Sequence, residues 1–109
     1  MANTFKLKTK ANVGVSTVGI YTAHASTTTV VIGITLSNTS GSGVNVGVGI
    51  TRAGTTEDVK LLKNAPIPSG SSLEFMAGNK IVLETTDTIT VDSDTNNSVD
   101  AALTIMEIT

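Results

Sequence analysis

Cysteine is absent from these 109 residues, so they can build neither a disulfide framework nor a thiolate metal site. Tryptophan is absent too, and two Phe and one Tyr make the aromatic content 3%. Platforms on which bases or sugar rings stack need more than that. Charge is scarce: 15% of residues are Asp, Glu, Lys or Arg, against roughly 25% in an average domain. The net charge of −2 leaves no basic surplus to attract a nucleic-acid backbone. No apolar run is long enough to cross a bilayer as a helix, so neither nucleic acid nor membrane is expected as a partner. The N-terminal Met-Ala-Asn-Thr-Phe-Lys-Leu-Lys lacks the apolar stretch of a secretory signal, which predicts a cytoplasmic product.

Thr, Ser, Gly and Val stand where charges usually do. Thr and Val suit a pleated surface. A weakly charged, hydroxyl-rich exterior fits a protein packed inside an assembly, and equally an ordinary β-domain. The length fits one domain, 1–109, that buries roughly two-thirds of its extended-chain surface.

The stretch 65–91 sets the architecture. Pro66 and Pro68 are the only prolines; each lacks an N–H, so Ala65–Pro68 is expected on a sheet edge or in a crossover. Ser69-Gly70-Ser71 is a turn. Leu73 and Phe75 alternate with Ser72 and Glu74 as in a half-buried strand. Ala77-Gly78-Asn79 reads as a second turn. Ile81, Leu83, Ile89 and Val91 fall on odd positions around a polar corner, Glu84–Asp87.

Elsewhere the same period recurs. Phe5, Leu7, Thr9 and Ala11 share one face of a strand and Lys6, Lys8 and Lys10 the other. The lysines either meet an acidic partner or protect an exposed edge, and residues 1–12 are an N-terminal arm or an edge strand. Val18–Thr22 is a short strand. Thr27–Ser37 puts Val30, Ile32, Ile34 and Leu36 on one face and Val31, Gly33, Thr35 and Ser37 on the other. Asn38–Gly43 is a hairpin loop. Val44, Val46, Val48 and Ile50 alternate with Asn45, Gly47, Gly49 and Thr51. The two glycines imply close approach by a backbone or subunit, or else a bulge. Ala53–Asp58 is a turn, and Val59–Asn64 leads back to the prolines. Val99, Ala101, Leu103 and Ile105 share a face of a closing strand. The result is an all-β chain: an antiparallel β-sandwich, jelly-roll or Ig-like, of eight to nine short strands.

Residues with chemical potential are few and scattered. His24, the one histidine, sits in a loop of small residues with no acid beside it in sequence. Serines abound, but no Gly-x-Ser-x-Gly elbow and no paired base accompany them. Glu74, Glu84 and Asp87 are available carboxylates, placed at turns and on exposed strand faces. Asp92-Ser93-Asp94 opens like a calcium loop, yet Asn97 stands where that loop needs Gly and Leu103 where it needs Glu. No catalytic, metal or cofactor-binding residue is assigned, and an enzyme is not expected.

Thr29–Gly41 together with Leu62–Leu73, Lys80–Ile89 and Val99–Ile108 resembles small structural proteins of tailed-bacteriophage virions. Where that pattern usually carries an acidic residue and a glycine before Asp-x-Ile, Thr85-Thr86 stand here. The resemblance implies a virion β-sandwich without catalytic residues, assembled in the bacterial host cytoplasm. Its most direct reading is a capsid decoration (cement) protein that stabilises the major capsid protein shell as a homo-oligomer, expected to be a trimer. Neck and tail components share such sandwiches and remain an alternative. A carbohydrate-binding module recognising host surface sugars is a third, against which the sparse aromatics weigh.

Overall fold

A computed structural model describes residues 3–52, 58–75 and 80–109, Phe75 by its backbone alone. Nine strands are present among the described residues: β1 (Asn3–Val13), β2 (Val18–Thr22), β3 (Thr28–Asn38), β4 (Val44–Thr51), β5 (Asp58–Ile67), β6 (Ser72–Phe75), β7 (Ile81–Leu83), β8 (Thr88–Ser93) and β9 (Val99–Ile108). The turn expected at 77–79 lies outside the described residues, as does 53–57 of the turn expected over Ala53–Asp58, whose last residue opens β5 instead.

Two antiparallel sheets form a sandwich. The first runs β1-β9-β3-β6, with β7 also paired to β3; the second runs β2-β8-β4-β5. β6 and β7 share one edge of β3: β7 pairs Thr29–Val31 and β6 pairs Ile34–Ser37. The chain changes sheet at most of its connections, and first and last strands lie side by side. That connectivity is a jelly roll; an Ig sandwich orders its strands otherwise.

The core follows from side-chain alternation. Val99, Ala101, Leu103 and Ile105 of β9 face Ile89 and Val91 of β8 and Val44, Val46, Val48 and Ile50 of β4, all buried. Each of the Val, Leu and Ile side chains contributes about 1.5–3 kcal/mol by leaving water.

Three local features depart from simple alternation. In β3 the pairing with β9 slips between Val31 and Gly33, so one residue is inserted. Ile34 and Leu36 point inward as expected, but upstream of the slip Val31 is the buried residue and Val30 turns outward. The expected face Val30–Ile32–Ile34–Leu36 is therefore split by a bulge. In β4, Gly47 and Gly49 do not leave room for another subunit. A Cβ at Gly49 would lie 2.9 Å from the Val59 carbonyl oxygen, and one at Gly47 would lie 3.3 Å from that of Leu62. The approaching backbone belongs to β5, whose register against β4 shifts twice. Pro66 lies opposite Asn45 in β5, the outermost strand of its sheet, the place where sheets tolerate proline.

Buried Asn38 closes the β3–β4 loop. Its Nδ2 donates to the Ser42 and Ile67 carbonyls at 2.9 Å, and its Oδ1 accepts from the Ser40 N–H and hydroxyl.

Candidate functional site

Two of the carboxylates considered from the sequence, Glu84 and Asp87, are tied into a structural cluster. At the Glu84–Asp87 corner, Arg52 from the end of β4 reaches across: its Nε lies 3.1 Å from Asp87 and its Nη2 2.5 Å from Glu84. Asp87 is buried, and its Oδ2 accepts the Glu84 N–H at 3.0 Å. The corner contains Thr86 at φ 67°, a left-handed backbone that β-branched residues avoid. Its N–H donates to the Ala23 carbonyl at 2.9 Å, which holds the turn against β2. Arg52, held charged chiefly by its hydrogen bond and attraction to Asp87, stands at the rim of a cleft of about 460 Å³. Ile50, Val59, Ile81 and Val82 form the apolar walls of this cleft. Glu74 sits on β6 opposite Thr35, away from this group.

A second polar cluster joins four strands. Glu107 falls at an inward position of β9, in step with Ile105, and is buried. The Tyr21 hydroxyl donates to it at 2.5 Å and lies 2.9 Å from the Thr29 hydroxyl. Lys6 of β1 pairs with Glu107 at 2.9 Å. The Tyr21 hydrogen bond, then that of Lys6, holds the Glu107 carboxyl below its ordinary 4.5. Burial, then the hydrogen bond to Glu107, pushes Tyr21 up to about 12, so it remains a donor. His24, solvent-exposed, brings Nε2 within 3.7 Å of Glu107; the acid that its sequence neighbourhood lacks arrives from the last strand.

The 92–97 loop spends its acidic groups on local donors. Asp94 Oδ1 accepts from the Asn45 N–H and the Thr95 hydroxyl, and Asp92 Oδ2 from the Thr17 hydroxyl. Among the described residues no three His, Asp or Glu side chains gather to hold a metal ion.

The most distinctive surface is apolar. Lys6 and Lys8 turn inward, Lys8 lying 5.9 Å from the Tyr21 ring centre, which puts Phe5 and Leu7 outside at 69% and 65% exposure. β1 is an edge strand whose hydrophobic side faces away from the core. The register extends this face. Phe5 lies opposite Met106, Met106 opposite Val30, and Val30 opposite Val82, itself 55% exposed. Four apolar side chains thus form one row across β1, β9, β3 and β7. The flanking rows are Asn3–Ile108–Thr28 and Leu7–Thr104–Gly33, so no charged residue interrupts the three.

Sequence reasoning left Arg52, Tyr21 and Glu107 unremarked. A signal existed for Glu107 alone: a carboxylate in phase with Val99, Ala101, Leu103 and Ile105 must find partners or shift its pKa.

No protein-family model matches this chain, and no curated protein does. Among solved structures, a chain from the endospore appendages of Bacillus, described as disulfide-linked pili, matches 99% of this chain and 87% of its own length at TM-score 0.57 and 16% identity. A chain from the T13 particle of IBDV matches 96% of this chain at TM-score 0.60 and 15% identity, and one from infectious bursal disease virus strain Gx matches 95% at 0.56 and 13%. This chain spans only 30% and 32% of those two viral chains. At such identities the likeness is one of fold: the jelly roll.

Proposed function

We propose that this chain is a non-catalytic structural protein of a bacteriophage virion, a capsid decoration (cement) protein that binds the major capsid protein shell. The observation that carries the reading is an uncharged apolar row on the outside of a jelly roll whose buried carboxylates, Asp87 and Glu107, are committed to holding a corner and strands together. Such a body works by contact. Many weak contacts on a symmetric shell gain strength from avidity, so each needs little area. The fold likeness to a chain of a virus particle, over 96% of this chain, supports the reading, as does the resemblance noted in the sequence.

Purified protein mixed with expanded empty capsids of the encoding phage should co-sediment with them and saturate at a fixed ratio to the shell protein. Absence of binding to such capsids would remove the cement reading. The neck or tail alternative draws support from the likeness to a pilus chain over 87% of that chain's length, because a pilus, like a tail, repeats one subunit along an axis. Without cysteine, these residues would have to assemble through non-covalent contacts. Binding to isolated tails in the same sedimentation assay, and not to capsids, is the result that favours it.

A further inference from the structure

We infer that the outer face of the β1-β9-β3-β7 sheet packs against the same face of a second copy of this chain, about a two-fold axis that runs parallel to the strands. This goes beyond the virion reading and does not depend on it.

The row Phe5–Met106–Val30–Val82 has its midpoint between β9 and β3. A two-fold axis lying in the interface and passing over that midpoint exchanges the ends of the row. Phe5 of one copy then covers Val82 of the other, and Met106 covers Val30. The two ends are the exposed members, at 69% and 55%, so each end conceals its counterpart. A large ring meets a small β-branched side chain, the large-on-small arrangement by which facing sheets interdigitate. The match is self-complementary, as an isologous contact requires.

Charge agrees. The three central rows carry none where β1, β9 and β3 pair, and the carboxylates of this side, Glu74 opposite Thr35 and Asp100 opposite Ser37, lie beyond them, so contact over these rows buries no unpaired ion. The lysines that would repel a second copy are turned away: Lys6 is spent on Glu107 and Lys8 leans on Tyr21. Area sets the strength. With strands about 4.8 Å apart and about 3.3 Å per residue, the three uncharged rows span roughly 19 Å by 20 Å, or about 400 Å², about half of the ~800 Å² that each partner contributes to a standard complex, so the pair is a weak one. An edge strand with its lysines on the inward-facing side and its Phe and Leu on the outward-facing side is costly for an isolated molecule and favourable for a stacked one.

The test is the mass of the protein in solution by analytical ultracentrifugation, for the wild type, Phe5→Glu, Val15→Glu and the double variant Phe5→Glu/Val82→Lys. Phe5 is exposed, so its replacement should leave the fold intact, which circular dichroism checks. Phe5→Glu should weaken self-association at least about 30-fold and halve the mass. Val15→Glu, an exposed apolar residue off the face, should leave the mass unchanged. The double variant should regain it, because each Glu would then lie over a Lys of the other copy. A wild-type mass that Phe5→Glu does not halve overturns the proposal, whether that mass is a monomer, a trimer or larger. So does a double variant that behaves like Phe5→Glu alone. Capsids are absent from the experiment, so its outcome is separate from that of the co-sedimentation assay.

Discussion

Replacing Tyr21 by Phe would test whether the Glu107 cluster holds the first strand to the body. The change deletes one hydroxyl, which donates to a buried carboxylate at 2.5 Å and lies 2.9 Å from Thr29. Hydrogen bonds to charged groups contribute about 1.5–3 kcal/mol, so the variant should lose about 2 kcal/mol at pH 7. At about 2.1 cal/mol/K per residue the unfolding entropy of this chain is roughly 230 cal/mol/K, and 2 kcal/mol lowers Tm by about 9 °C. The pH dependence gives an independent check. Glu107 titrates below its ordinary 4.5 in the folded protein. Its stabilising contribution is therefore complete above 4.5 and is lost as pH falls through the folded value. Tyr21→Phe removes the main cause of the depression, so the stability gap between the two proteins should narrow as pH drops from 5 towards 2. Urea melts at several pH values, repeated for Glu107→Gln and the double variant, yield the coupling energy. A Tyr21→Phe loss below about 0.5 kcal/mol, or a gap constant from pH 7 to pH 2, would refute the assignment.

Other substitutions follow from the same geometry. Gly49→Ala places a Cβ 2.9 Å from the Val59 carbonyl and should cost about 1–3 kcal/mol, whereas Gly33→Ala meets nothing within 4 Å and should be neutral or mildly stabilising in thermal melts. Thr86→Gly relieves a left-handed backbone worth about 1–2 kcal/mol, offset partly by the freer unfolded chain, so Tm should rise by a few degrees. Leu103→Ala, at the centre of the core, should cost about 2–5 kcal/mol by denaturant titration.

The strands themselves were legible wherever alternation ran unbroken. β9 shows this best: Val99, Ala101, Leu103 and Ile105 share the buried face that their spacing predicts. The reading failed where a single inserted residue reversed the phase, as in β3 between Val31 and Gly33, because a bulge changes the face without changing the composition. β1 was ambiguous for another reason. Its pattern defines two faces but not which one looks inward, and that choice rests on Glu107, about a hundred residues away in the chain. Arg52 with Asp87, and Tyr21 with Glu107, are likewise partners 35 and 86 residues apart, beyond the reach of any local spacing. The jelly roll could be told from an Ig sandwich only once strand neighbours were known. Gly47 and Gly49 announced a close approach but could not say that the visitor was β5.

The pairing of Asn3 with Ile108 has a practical consequence. Residues opposed in an antiparallel ladder sit about 5 Å apart, so the outer ends of β1 and β9 meet at one corner. A short linker there would let the polypeptide be re-opened at the Asn38–Gly43 loop instead, giving a circular permutant with the same topology. A peptide grafted beside Asn3 or beside Ile108 would be displayed at the same spot, so the two sites are interchangeable as points of attachment.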